Sequence, residues 1–72
     1  MMNKLQVMEC QGMLVTWGTG VIRGKLHNRT SDRCGELCAQ VTITEKYVTP
    51  CGHSVMPGTL GWAPLSELTL VQ

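Results

Sequence analysis

The sequence predicts an all-β fold, a small five-stranded barrel, and three features of the chain favour this class. Apolar and polar residues alternate from Glu36 to Thr44, which is the period of a strand with one buried face. Turn-forming glycine and proline residues recur at short intervals along the chain. No apolar pattern of helical period extends over ten residues. Closure into a barrel removes the exposed edges that a small open sheet presents.

The length of the chain predicts one domain, residues 1–72, with a small hydrophobic core. A domain of this size buries only about 60–65% of the surface of its unfolded chain. The apolar share of 43% is ordinary for a globular protein and too high for a disordered one. The net charge of +1 gives no overall signal for binding to nucleic acid or to a membrane.

Three strands are predicted in the N-terminal part of the chain. The first candidate is Leu5 to Cys10, and the second is Met13 to Trp17, which is rich in apolar and β-branched residues. Gly18-Thr19-Gly20 offers a tight turn, because glycine tolerates positive φ. The third strand runs from Val21 to Asn28, and the polar residues 29–35 are predicted to form a loop.

The strand from Glu36 to Thr44 carries the clearest pattern in the chain. Its alternation predicts that one set of side chains faces the core while the intervening polar side chains face water. The predicted core set is Leu37, Ala39, Val41 and Ile43.

Short elements are predicted in the C-terminal part of the chain. Turns are expected at Thr49-Pro50-Cys51-Gly52 and at Met56-Pro57-Gly58, followed by a short strand from Thr59 to Trp62. Ala63 to Leu68 is predicted to form one helical turn, because proline suits a first helical position. Thr69 to Val71 is the predicted last strand.

Two stretches resemble a known family of small barrels. Gly61 to Val71 resembles the closing element of Src-homology-3-like barrels, and Met13 to Lys25 is similar to the opening hairpin of their Tudor-like and KOW-like members. The resemblance implies a five-stranded barrel with one helical turn before the last strand. It also implies binding to RNA or to ribosomal and transcription complexes, as KOW-like members do. The chain contains no Phe and no acidic cluster, so the aromatic groove and acidic loop of the peptide-binding members do not carry over.

Cysteine and histidine residues form a candidate metal site. Cys34 and Cys38 form one close pair, and Cys51 and His53 form another. Thiolate and imidazole are zinc ligands, so the four side chains predict a structural zinc ion if the chain folds back along the strand that separates the pairs. The alternatives are free thiols, which are often buried, and disulfides. Catalysis is not predicted, because the pair of Cys51 and His53 lacks an orienting partner.

Basic residues cluster on the third predicted strand. Arg23, Lys25 and His27 share one face by period two, and Arg29 adjoins them. Trp17 on the neighbouring strand is predicted to add an aromatic anchor. This set predicts a binding surface for a protein partner, with nucleic acid as the alternative, because phosphates attract Lys and Arg.

The N-terminus shows no signal sequence, and no apolar run reaches the length of a membrane span. We therefore expect a cytoplasmic protein with reduced thiols and no membrane partner.

These features together predict a non-catalytic interaction module without a cofactor. It would bind and modulate a larger protein or complex, as phage or plasmid accessory proteins do. Trp17 with Met13 or Val15 would form the apolar anchor, and the basic residues would form the rim. Self-association is also expected, because a small core leaves apolar surface exposed. The alternative is a structural-zinc module that binds nucleic acid through the basic strand face.

Overall fold

The computed structural model describes residues 2–18, 20 and 22–71, and over this part of the chain it is predominantly β. One short helix precedes seven strands in the described residues. The elements are α1 Lys4–Glu9, β1 Leu14–Trp17, β2 Ile22–Arg33, β3 Glu36–Ile43, β4 Tyr47–Val48, β5 Ser54–Val55, β6 Leu60–Pro64 and β7 Thr69–Leu70.

Five of the strands in the described residues form one antiparallel sheet, the main sheet, in the order β6-β3-β2-β1-β7. The long strand β2 lies at its centre, and the register between β2 and β3 shifts between Leu26 and Thr30. Such a bulge bends a strand and increases its twist. The end strands β6 and β7 do not pair with each other in the described residues, so the main sheet stays open where the sequence predicts a closed barrel. β4 and β5 form a separate hairpin.

The hydrophobic core lies on one face of the main sheet. Val15, Leu26 and Val41, from three adjacent strands, are at most 1% exposed. The helix contributes Val7, and the turn after β6 contributes Leu68, both fully buried. Within the described residues no polar or charged side chain is buried, so the core is held together by apolar packing.

The strand predictions for β1, β3, β6 and β7 are confirmed to within two residues at each end. The predicted turn at residues 49–52 is also present, and the Gly52 amide donates to the Thr49 carbonyl at 2.9 Å. It joins β4 to β5. Three of the four side chains predicted to face the core from β3 are buried, namely Ala39, Val41 and Ile43.

Leu37 departs from that prediction. It is 38% exposed and, with Met2 and Leu65, lines a cavity of about 320 Å³ near the start of α1. The side chain has the predicted direction, because Ala39 two residues later points into the core. It lies at the border of the core, beside the core residues Met2 and Leu65.

The predicted strand Leu5–Cys10 is wrong, because α1 occupies this segment. Asn3 and Gln6 form a capping box, in which the Gln6 amide donates to Asn3 Oδ1 at 2.8 Å and the Asn3 amide donates to Gln6 Oε1 at 2.9 Å. These bonds satisfy amides that the first turn of a helix leaves without partners. The helix is then held against the sheet by the single buried side chain of Val7.

The predicted loop at residues 29–35 is also wrong, because β2 continues to Arg33 and only two residues turn the chain. Cys34 and Gly35 have φ values of +53° and +82°. Two consecutive residues with positive φ are typical of the tightest hairpin turns, and cysteine adopts this conformation far less readily than glycine or asparagine. The ladder therefore extends to the pair Arg33 and Glu36.

The predicted helical turn at residues 63–68 is a pair of hydrogen-bonded turns. Pro64 ends β6, and the amides of Glu67 and Leu68 donate to the carbonyls of Pro64 and Leu65. The segment links β6 to β7 through these turns and forms no regular helix. Thr19 and Val21, which belong to the predicted turn and third strand, lie outside the described residues.

Candidate binding face of the sheet

The candidate site is the face of the main sheet that points away from the core, which we name the outer face. Neighbouring residues along a strand point to opposite sides, so the residues on either side of each buried position along its strand define the outer face. Lys25 pairs with Thr42, and Gln40 pairs with Trp62. Residues at these positions are exposed or half-buried, with the exception of Cys38. The charged and aromatic members of the outer face are Arg23, Lys25, His27, Arg33, Glu36 and Trp62.

Arg33 and Trp62 are in contact on the outer face, at the edge strand β6. The Arg33 Cζ atom lies 4.6 Å from the centre of the Trp62 ring, within the range of a cation–π interaction. Arg33 ends β2, and Trp62 lies on β6, so the pair spans β3. Arginine and tryptophan are the residue types most enriched among the energetic centres of protein interfaces.

Cys38 lies between the two strands that carry this pair and is only 5% exposed. Burial raises the pKa of the Cys38 thiol above its ordinary value of 9.0, and the negative charge of Glu36 raises that pKa further. The positive charge of Arg33 acts in the opposite direction. The thiol therefore stays protonated near neutral pH, and its Sγ atom lies 3.7 Å from the Glu36 carbonyl.

His27, Lys25 and Arg23 form the basic part of the outer face. His27 Nε2 lies 2.5 Å from the Thr42 hydroxyl, a hydrogen bond that fixes the ring across β2 and β3. Lys25 is exposed. An Arg23 nitrogen lies 4.0 Å from a Glu45 carboxylate oxygen, with both side chains largely exposed. Exposed ion pairs of this kind contribute little to stability, so Arg23 keeps most of its capacity to bind a partner.

The structure separates Trp17 from the basic residues with which the sequence groups it. Trp17 shares the core face with Val15, is half-buried and packs against the core. A Cβ atom at Gly24 would lie 3.3 Å from Trp17 Cζ3, which shows how closely the ring covers β2. Arg29 is exposed and lies within the irregular part of β2, where the ladder shifts register.

The structure does not bring the predicted metal ligands together. Cys34 is exposed at the β2–β3 turn, while Cys51 and His53 are exposed in the β4–β5 hairpin. Over the described residues, no group of three or more His, Cys, Asp or Glu side chains is placed to share a metal ion. The cysteines in this part of the chain are free thiols. Zinc binding stays a prediction that metal analysis of the purified protein tests.

Charge is concentrated on the outer face. It carries three of the six Lys and Arg residues of the chain and one of its five acidic residues. The outer face therefore favours an acidic partner, although a field from so few charges is weak.

The role of Trp62 and Arg33 in the outer face is missing from the sequence prediction. The sequence does contain a signal for Trp62. Its neighbours Gly61 and Ala63 are small residues, which fit positions that face a packed core. Period two then places Trp62 on the outer face. Arg33 carries no comparable signal, because its position depends on the length of β2.

Comparisons with protein-family models, with curated proteins and with solved structures gave no match to this chain. Among the described residues no helix is long and apolar enough to cross a bilayer. Function is therefore inferred from the geometry of the residues.

Proposed function

We propose that this chain is a cytoplasmic, non-catalytic interaction module with a partly open Src-homology-3-like barrel. It binds a larger protein or complex through the outer face and modulates it as an accessory protein. The fold assignment is supported by β7, the last strand, which returns to pair with β1, the first. The free thiols fit a reducing compartment.

The observation that carries the binding proposal is the contrast between the two faces of the main sheet. One face is the core, while the other holds an arginine stacked on a tryptophan and, further along the strands, an exposed lysine and a fixed histidine. An amphipathic aromatic ring with an adjacent guanidinium provides contact area and directional hydrogen bonds in one place.

Nucleic acid is the second candidate partner, and the shared face of Arg23, Lys25 and His27 favours it. The small number of positive charges favours a protein partner over nucleic acid, because each phosphate contact requires its own Lys or Arg. Titration with single-stranded and double-stranded nucleic acid at two salt concentrations tests this alternative. Affinity that falls steeply with salt would support phosphate contacts.

Paired variants test the outer face. The chain, carrying an affinity tag, is expressed in the cells from which it derives, and captured proteins are quantified by mass spectrometry. We expect the double variant Lys25→Ala and Arg33→Ala to reduce specific capture by about tenfold or more, as loss of central interface residues does. The control, Lys4→Ala and Lys46→Ala, removes the same charge away from the outer face. Equal capture by both variants would contradict the proposal, provided that thermal unfolding shows both to be folded.

A further inference from the structure

The free edge of β6 has backbone groups that point away from the sheet. Two ladder bonds fix the alternation: the Ile43 amide donates to the Thr59 carbonyl, and the Leu65 amide donates to the Leu37 carbonyl. In an antiparallel ladder the intervening residues of the edge strand turn their amide and carbonyl groups outward. Leu60 and Trp62 therefore direct these groups to the edge.

Space and side-chain chemistry beside this edge favour an added strand. Leu60 is 59% exposed. On the core side, a Cβ atom built at Gly61 would meet nothing within 4 Å, which leaves open space beside the strand. On the outer side, Arg33 lies over Trp62, next to the edge. Pro64 has no amide hydrogen and limits the usable edge at one end.

We propose that β6 accepts an extended segment of the partner protein as an additional strand, and that this segment places an acidic side chain beside Arg33. The inference rests on the proposed function, because it names how the partner of the outer face is bound. Strand addition supplies affinity through backbone hydrogen bonds, and side chains supply specificity. Side chains directly opposite on adjacent strands lie about 4.5–5.5 Å apart, which brings an acid opposite Trp62 within reach of the guanidinium.

Charge argues against a second copy of this chain as the occupant. Two β6 edges paired about a two-fold axis through Trp62 would place two Arg33 guanidiniums close together. Like charges across an interface are unfavourable. An acidic segment satisfies the same backbone groups and neutralises Arg33, so it is the occupant that the edge favours.

The test uses a fluorescently labelled octapeptide of alternating Val and Glu, with the alternating Val and Lys peptide as its charge-reversed control. Polarisation titrations measure binding of both peptides to the full chain. We expect the acidic peptide to bind and the basic peptide to bind about tenfold more weakly or not at all. Failure of the acidic peptide to bind, or equal binding of both peptides, would overturn the inference.

A proline substitution isolates the backbone contribution. Leu60→Pro removes an amide hydrogen that points outward and leaves the bonds to β3 in place. We expect about a fivefold to tenfold loss of affinity, the effect of one hydrogen bond. The control, Leu60→Ala, also removes the leucine side chain but keeps the amide, so its loss of affinity should be smaller than that of Leu60→Pro. Equal affinities for the two variants would show that the edge is not used.

A charge reversal keeps the inference testable even if Leu60→Pro unfolds the chain. We expect the Arg33→Glu variant to bind the acidic peptide more weakly, and the basic peptide more tightly, than the unaltered chain does. An unchanged preference for the acidic peptide would overturn the inference.

Sedimentation of the unliganded chain supplies the last test, because a dimer that Leu60→Ala retains and Leu60→Pro abolishes would assign the edge to a second copy. Capture that is lost in the outer-face double variant but kept in Leu60→Pro would leave the proposed function standing and reject strand addition alone.

Discussion

At the residue scale, Cys38 shows how a position on the outer face becomes buried. Its neighbours in the register belong to β2 and β6, and the long side chains of Arg33 and Trp62 meet across β3, the strand that carries it. Among the outer-face side chains of the described residues, this thiol alone is as buried as the core residues. The upward shift of its pKa therefore depends on an intact fold.

This burial predicts a pH dependence of stability. The pKa of Cys38 is raised in the folded chain, so the folded state holds the proton more tightly than the unfolded state. That contribution to the free energy of unfolding is complete below the ordinary pKa of 9.0 and is lost as pH rises through the raised pKa. Denaturant unfolding at a series of pH values, with a reducing agent present, measures the decline.

Two variants separate Cys38 from other titrating groups. Cys38→Ala should reduce the decline in stability above pH 9.0, whereas Cys51→Ala, which changes an exposed thiol, should leave it unchanged. An identical decline in the wild type and in Cys38→Ala would show that another group is responsible.

At the element scale, β1, β2 and β3 pack closely around Gly24. A Cβ atom at this position would lie 3.0 Å from the Thr42 carbonyl oxygen, and 3.3 Å from both Trp17 Cζ3 and Val41 Cβ. The absence of a side chain lets the Trp17 ring lie over β2. A larger residue must displace either the ring or the backbone of β3.

We expect Gly24→Ala to lower the free energy of unfolding by about 1–3 kcal/mol, which is typical of overpacking. Gly61→Ala is the matched control, because Gly61 also lies in a strand and an added Cβ meets nothing within 4 Å. Its effect should stay within about 0.5 kcal/mol. Denaturant titration of both variants measures the difference, and equal losses would contradict the packing described around Gly24.

The elements also show which sequence patterns determine structure. β3 could be predicted because its alternation continues over eight residues. α1 could not, because it spans six residues with one buried side chain, and its signal is the pair Asn3 and Gln6 rather than a period. The second half of β2 is polar, and its turn uses Cys34 where glycine or asparagine is expected, so the hairpin carries no composition signal.

For the whole molecule, one core lies on one face of an open sheet, and the strands contribute unequally to it. β2 and β3 pair over most of their length and hold the buried residues Leu26 and Val41. β4 and β5 pair over two residues each, outside the main sheet. Local stability should therefore fall from the centre of the main sheet to this hairpin.

Amide hydrogen exchange measures this gradient. The amides that join β2 and β3 near Leu26 and Val41 should exchange slowest, close to the rate set by global unfolding. Those of Tyr47–Val48 and Ser54–Val55 should exchange far faster, through local opening. Uniform protection across both sets would mean that the hairpin unfolds together with the main sheet.

At this scale the sequence predicts the β class and the common face of Arg23, Lys25 and His27, but not the composition of the outer face. Trp17 is two residues from Val15, so period two already places it on the core side. The position of Trp62 opposite Gln40 depends on the register between β3 and β6, which pairs segments distant in sequence. Long-range pairing of this kind is not encoded in any local pattern.

Pro64 has one further consequence for the behaviour of the chain in concentrated solution. Exposed sheet edges are templates for aggregation, and proteins commonly protect them with short strands and with proline. β6 spans Leu60–Pro64, so a neighbouring molecule finds few backbone groups before the proline interrupts the row. Pro64 therefore limits the β6 edge to a short segment, and the same limit opposes the growth of fibrils from this edge.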